Sequence, residues 1–185
     1  MAIEQTKISK EELKIFKKLK NIKMVFDVGA RIDIDYLDLK PKAEFHLFEP
    51  NPEFFEELKV KIGDRKNVFL NNYGLSDKEE ELRYNPGNQS FLSPINSELI
   101  LPLKTLDWYV QDKRIDRIDF LKIDTEGWDY KVLQGGGNTI KICRYIQYEH
   151  WNDKLCFHDL LENDFIMCYM GYRNVLCIRK GEKWL

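Results

Sequence analysis

The sequence predicts an α/β domain in which helices cover both faces of a mostly parallel sheet. Three observations predict it. From residue 23 onward, apolar runs of strand length alternate with amphipathic stretches of helix length. Acidic residues and a glycine stand where the first two runs stop, which is where doubly wound sheets bind their ligands. The last two apolar runs, in DFIMCYMGYRNVLCIRK, meet at Gly171-Tyr172-Arg173-Asn174, a hairpin signal that sets the final strand antiparallel to its neighbour. The 185 residues suit one domain over 23–185, preceded by a helical extension over 1–22.

Residues 9–20 read as an amphipathic helix. Ser9 is its N-cap, Glu12 completes a capping box, and Leu13, Phe16 and Leu19, with Ile15, form one apolar stripe. Seven lysines lie in the first 23 residues and read as the solvated side of that helix. KMVFDVG (23–29) is a buried strand stopped by Gly29, and AEFHLFEP (43–50) a second, stopped by Pro50. NPEFFEELKVKIG (51–63) is a helix with Asn51 as N-cap, Pro52 at its first position and Gly63 at its end. NVFLNNYGL (67–75) reads as a third strand. The following Pro- and Gly-punctuated stretch reads as extended or hairpin structure at the domain's edge. DWYVQDK (107–113) is a short helix, IDFLKID (118–124) a fourth strand, and GWDYKVLQ (127–134) a helix stopped by three glycines. RYIQYEH (144–150) is a fifth strand and FHDLLEN (157–163) a short helix.

Composition excludes several classes. A formal charge of −2 gives no electrostatic reason for a nucleic-acid partner. No apolar run reaches the roughly 20 residues that span a bilayer, and the N-terminus lacks the apolar segment of a signal peptide. The four cysteines, Cys143, Cys156, Cys168 and Cys177, form no CxxC pair and no zinc spacing. Reduced, buried thiols and a cytoplasmic setting are the expectation.

Two units carry chemistry. In the first, Asp27-Val28-Gly29-Ala30 ends the first strand, and Glu49 ends the second, 20 residues after Gly29. Such an acid can accept both hydroxyls of a ribose, a geometry shared by dinucleotides and S-adenosyl-L-methionine (SAM). Charge decides between them. A dinucleotide needs a glycine-rich cradle for its pyrophosphate, whereas Gly29-Ala30-Arg31-Ile32-Asp33-Ile34 holds a single glycine, and Asp33, Asp35 and Asp38 repel phosphate. SAM carries a sulfonium and an ammonium but no phosphate, and suits that loop. Gly135-Gly136-Gly137 lacks the Lys and Ser/Thr of a P-loop.

The second unit is Lys122-Ile123-Asp124-Thr125-Glu126-Gly127. Lys122 and Asp124 share a strand face, and a lysine inside a buried strand needs a partner; Asp124 or Glu149 on the neighbouring strand is expected. Asp124, Glu126, Glu149 and His150 are expected to converge at the strand ends. His46 and His158 read as structural. No metal is assigned, Mg²⁺ held by carboxylates with a diol being the alternative.

FDVGA (26–30), FEPNPE (48–53), GLSD (74–77), TLD (105–107), LKIDTEG with VLQGG (121–127 and 132–136) and YIQYE (145–149) occur in one order. Together they resemble the FkbM-type methyltransferases. The resemblance implies a class I methyltransferase (Rossmann-like) fold, seven strands with the last antiparallel, and SAM-dependent methylation of a hydroxyl on a glycan or secondary metabolite. It also implies that Asp27, Gly29 and Ala30 hold the methionine part, Glu49 the ribose, Leu75 and Ser76 the adenine, and that Asp124 lies near the methyl. The family usually shows Asn and a second Gly where this chain has Arg31 and Asp33. Asp33 would crowd and repel the donor's carboxylate, and Arg31 is the side chain that would pair with it.

The catalytic candidates are Glu126, Glu149 or His150 as base, with Lys122 and Asp124 ordering the site. The rival expectation, favoured by Asp33, is a methyltransferase fold without catalysis that serves as a binding module. Residues 82–104, with Tyr84, Phe91 and nearby Trp108, are the candidate acceptor wall. Little chain remains beyond the core, so the acceptor site is expected to be shallow or completed by a second subunit of a homo-oligomer.

Overall fold

A computed structural model describes residues 10–84, 99–150, 157–169 and 173–182. The first strand, β1 (Met24–Val28), runs between β2 (Glu44–Phe48) and β7 (Ile118–Ile123), parallel to both. β3 (Val68–Asn71) extends the sheet beyond β2, and β8 (Cys143–Glu149) extends it beyond β7, again in parallel. β10 (Asn174–Arg179) then pairs antiparallel with both β8 and β9 (Phe165–Tyr169). The order β3-β2-β1-β7-β8-β10-β9 is the seven-stranded, doubly wound sheet with its last strand antiparallel that the sequence predicts. Residues 170–172 of the hairpin lie outside the described residues.

Period-two alternation sorts side chains between two apolar layers. On one face Val25, Phe45, Leu47, Phe120, Tyr145 and Leu176 pack beneath α1 (Lys10–Lys18), α2 (Asp35–Leu39) and α3 (Pro52–Ile62). On the other, Phe26, Phe48, Leu121, Ile123, Ile146 and Tyr148 pack against α4 (Leu106–Lys113), α5 (Asp129–Gln134) and α6 (Phe157–Leu161).

The α1 stripe is anchored by Phe16, wholly buried, whose ring meets Tyr36 edge-on at 4.7 Å and Phe120 at 4.8 Å. Lys40 Nζ donates to the carbonyls of Lys17 (3.1 Å) and Leu19 (2.8 Å), satisfying the end of that helix. Ser9 lies outside the described residues. Glu12 is 6% exposed and accepts a hydrogen bond from Gln147 Nε2 at 3.2 Å, while the capping box expected of it with Ser9 falls outside the described residues. The α3 prediction holds in detail, since Asn51 Oδ1 accepts from the Glu53 and Phe54 amides and Pro52 opens the helix.

One prediction fails. Residues 67–75 are not one strand, because the chain leaves the main sheet after Asn71. Asn71 Nδ2 donates to the Leu47 carbonyl at 3.0 Å, and Asn72 Nδ2 to the Glu49 carbonyl at 2.9 Å. These amides turn the backbone into β4 (Gly74–Ser76), which pairs with β6 (Leu99–Thr105) in a second, three-stranded sheet. β5 (Glu80–Tyr84) lies antiparallel to β6 on its other side, in keeping with the hairpin expected at the domain's edge. Phe91 of the candidate acceptor wall lies outside the described residues. Trp108 is half-buried beside Tyr73, with Lys104 Nζ 4.8 Å from its ring centroid.

Cys143 and Cys177 are buried and Cys168 half-buried, all as free thiols; Cys156 lies outside the described residues. His46 is structural: its ring nitrogens bond Tyr109 Oη at 2.7 Å and Glu44 Oε1 at 2.9 Å. His158 is exposed and pairs with Glu162 one turn on. Among the described residues no helix is long and apolar enough to cross a membrane.

Candidate functional site

Because β1 lies between β2 and β7, the loops leaving these three strands meet at one end of the sheet. The Gly29 and Ala30 amides donate to the Phe48 carbonyl (3.0 and 3.1 Å), and the Asp124 amide donates to the Val28 carbonyl at 2.9 Å. Gly29 has φ +83°, and a Cβ there would sit 2.0 Å from the Asp124 carbonyl oxygen. The close approach that demands glycine is thus made by the neighbouring loop. Arg31 (φ +50°) and Glu126 (φ +53°) are also left-handed. Two such non-glycine residues on facing loops mark backbone strain of the kind found at functional sites.

Glu49 is fixed by the backbone around it. Its Oε2 accepts from the Arg31 amide and its Oε1 from the Asn51 amide, each at 2.8 Å. Burial pushes its carboxyl up to about 7, against the pull of those two donors and of the Arg31 charge. The Arg31 guanidinium lies 5.3 Å from the centroid of Phe54, and Lys61 Nζ donates to the Ile32 carbonyl at 2.9 Å, holding the loop against α3.

Lys122 has a different principal partner from the one expected. Its Nζ donates to Asp27 Oδ1 at 2.9 Å and lies 3.4 Å from Asp124 Oδ2. Parallel register explains this, because Asp27 on β1 is directly opposite Lys122 on β7. On the other side Lys122 is opposite Gln147, two residues short of Glu149. Asp124 is therefore a partner as expected, and Glu149 is not the one that neutralises Lys122. Burial opposes the Lys122 charge, yet the Asp27 and Asp124 carboxylates raise its ammonium well above the ordinary lysine range.

Asp33 is half-buried, its amide donating to the Ala30 carbonyl at 3.2 Å. Burial raises its carboxyl, while Lys122 is the leading opposing charge. Burial and the like charge of Asp124 raise Glu126, while Arg31 and Arg173 act the other way. Asp27, Arg31, Asp33, Lys122, Asp124 and Glu126 thus form one charged group beside Glu49.

A buried acid next to these residues that sequence reasoning missed is Asp129. Wholly buried, it accepts from the Thr125 amide (3.2 Å), the Thr125 hydroxyl (2.7 Å) and the Glu149 amide (2.9 Å). It fastens the loop after β7 to the end of β8, and burial with the nearby Asp124 charge pushes its carboxyl up to about 7. The available signal was an acid two residues beyond Gly127, which reads equally well as a first-turn helix residue. Glu149 and His150 lie at the end of β8, where the His150 amide donates to the Arg173 carbonyl at 2.9 Å and its ring packs edge-on to Phe157.

Leu75 and Ser76 are both buried. Leu75 belongs to the apolar core, and the wholly buried Ser76 hydroxyl donates to Asp77 (2.9 Å) and accepts from Trp128 Nε1 (3.1 Å). Gly135 is more than a helix stop, because a Cβ there would meet the Ser76 carbonyl oxygen at 2.0 Å.

Comparison with known proteins places this arrangement. The methyltransferase FkbM domain model matches residues 27–173. The chain is similar to the hexuronic acid methyltransferase AglP of Haloferax volcanii, 26% identical over 132 residues that cover 68% of this chain and 55% of that protein. It is also similar to the 2-O-methyltransferase NoeI of Sinorhizobium fredii, 22% identical over 157 residues covering 71% of this chain and 65% of that protein. The chain thus spans less than two thirds of the length of either curated relative. Among solved structures, a methyltransferase FkbM from Methylobacillus flagellatus aligns with a TM-score of 0.60 at 14% identity, over 88% of this chain and 47% of that one. An rRNA methylase from Streptococcus thermophilus gives 0.59 at 11% identity, over 94% and 98%. At these identities the structural likeness shows the fold.

Proposed function

We propose that this chain, which belongs to the FkbM methyltransferase domain family, transfers the methyl group of S-adenosyl-L-methionine to a hydroxyl oxygen of a small-molecule or glycan acceptor. The names of its relatives, a hexuronic acid methyltransferase and a 2-O-methyltransferase, support that acceptor class.

The observation that carries the donor is the Glu49 carboxylate, pinned by two backbone amides beside a loop bearing Asp33 and no phosphate cradle. The donor set fits a cationic, phosphate-free nucleoside. Each Glu49 oxygen retains acceptor capacity for a ribose hydroxyl. Asp27, Gly29 and Ala30 would hold the amino-acid end, with Arg31 answering its carboxylate, and Asp124 would lie near the methyl. Leu75 and Ser76 would flank the adenine. When bound, SAM supplies an electrophilic methyl on a sulfonium that leaves without protonation.

The chain's own task is to orient the acceptor and take its proton. Glu126 is the base we favour among Glu126, Glu149 and His150. It stands on a strained loop beside Asp124, and burial raises its carboxyl, which makes it the stronger base. Lys122, paired with Asp27, holds Asp124 in place. A second reading, a binding module without catalysis, draws on Asp33, whose charge faces the place assigned to the donor's carboxylate.

Calorimetric titration with SAM, S-adenosylhomocysteine and NADH separates these readings. Heat with the first two alone supports the donor assignment, and heat with none supports the module. For the enzyme, Glu126→Gln is expected to lower kcat by about 10²–10⁴-fold with donor affinity kept. Full activity in that variant would remove Glu126, and Glu149→Gln and His150→Ala test the other two.

A further inference from the structure

Asp27, Lys122 and Gln147 are directly opposite one another on three adjacent strands and lie on one face of the sheet. All three are buried in the layer otherwise filled by Phe16, Val25, Phe45 and Phe120. Two further polar groups cover this row from outside the sheet. Gln147 Nε2 donates to Glu12 Oε1 on α1 (3.2 Å) and to Tyr36 Oη on α2 (3.4 Å), and both residues are buried. The donor chemistry proposed above gives no task to Glu12, Tyr36 or Gln147. An apolar layer is cheaper to build without them. Glu12 also precedes the segment matched by the family model, residues 27–173.

The placement of α2 suggests the task. This helix follows directly on the loop that carries Gly29, Arg31 and Asp33, and Tyr36 lies in its first turn. Phe16 of α1 holds the Tyr36 ring from one side, and Gln147 holds its hydroxyl from the other. The loop amide of Arg31 in turn fixes Glu49. We infer that Glu12 is a positioning residue for the donor pocket: by holding Gln147 against Tyr36 it docks α1 on α2 and sets the loop 29–34 that carries the Arg31–Glu49 bond. The N-terminal helix is thereby part of the donor site although it contributes no group to it.

The inference rests on the donor reading for its functional consequence but not for its structural one, so two measurements are paired. The first is amide hydrogen exchange of the ligand-free protein, read at Arg31. Glu12→Ala is expected to speed that exchange at least 5-fold, while Glu12→Gln, which keeps an acceptor for Gln147, stays within 2-fold of the parent chain. The second is titration with S-adenosylhomocysteine together with steady-state kinetics. Glu12→Ala is expected to raise Kd and the donor KM about 5-fold or more, to leave kcat at saturating donor within 2-fold, and to be rescued by Glu12→Gln. A folded Glu12→Ala protein with unchanged Arg31 exchange overturns the inference. Should that variant not fold, Tyr36→Phe probes the same link from its other end, and unchanged exchange there also overturns it. A parent chain that binds neither SAM nor S-adenosylhomocysteine sinks the donor reading alone, since the exchange experiment still decides the positioning role.

Discussion

Replacing Lys122 by Met removes an ammonium and leaves Asp27 buried with its counter-ion gone. The ion pair spans 2.9 Å, with both side chains almost fully enclosed. At that separation and an effective dielectric constant of about 20, the attraction is about 6 kcal/mol. Desolvating the two ions costs several kcal/mol each, so the pair adds little net stability, but breaking it exposes the full penalty of one stranded carboxylate. The expected loss is about 3–5 kcal/mol, a large share of a total near 5–15 kcal/mol. For a chain of this length it lowers Tm by about 6–20 °C. The loss also depends on pH in a definite direction. Burial already holds the Asp27 carboxyl above its ordinary value against the pull of Lys122, and without Lys122 it rises further, so folding favours the protonated form more strongly. The variant's relative stability is therefore best below the unfolded pKa and is lost as pH rises through the folded one. Urea unfolding followed by tryptophan fluorescence at pH 5 and pH 8 measures both effects. The gap to the parent chain should be wider at pH 8, and Lys122→Met combined with Asp27→Leu should recover most of it. A loss under about 1 kcal/mol, well below the range for broken buried pairs, or a gap independent of pH, would refute the reasoning.

Two other outcomes are expected. Gly29→Ala combines a clash at 2.0 Å with a left-handed φ of +83° and should cost about 3 kcal/mol or more; thermal unfolding with a donor titration checks this. The Glu49 carboxyl, raised to about 7, holds its proton in the folded chain at pH values where the unfolded chain has shed it. Its stabilising contribution is present at pH 4.5 and below and is lost as pH rises through about 7. Donor binding runs the opposite way, since an ionised carboxylate is the stronger acceptor for ribose hydroxyls. S-Adenosylhomocysteine affinity should rise between pH 6 and 8, and Glu49→Gln should flatten that rise.

The β1, β2, β7 and β8 strands were legible because their apolar runs are long, and stop signals such as Gly29 and Pro50 bound the first two. The break after Asn71 was hidden, because two asparagines inside an apolar run differ from strand residues only by the carbonyls they find across space. Lys122 was recognisable as a lysine needing a partner, but strand order and register decide which acid faces it, and neither is written in the local pattern. Glu12 fitted a capping box by spacing alone, and only the packed sheet shows it covered. Asp129 was hidden for a related reason: an acid in a first helical turn looks alike whether it faces water or staples two strands together. Gly29, Glu49 and the Lys122–Glu126 run do lie at the strand ends where the sequence put them, because a strand's end is marked by its own residues even when their partners come from other strands.

The contact of Gly135 with Ser76 has a consequence for how the second sheet is held. The Asp107 amide donates to the Gly135 carbonyl at 3.0 Å, and the Asp107 carboxylate accepts from the Asn138 and Thr139 amides. Ser76 and Asp107 are therefore two rivets, both driven into the turn after α5, so that β4 and β6 finish at one spot on the body. The second sheet is thereby fastened to the body of the domain, at the ends of β4 and β6, by a single turn.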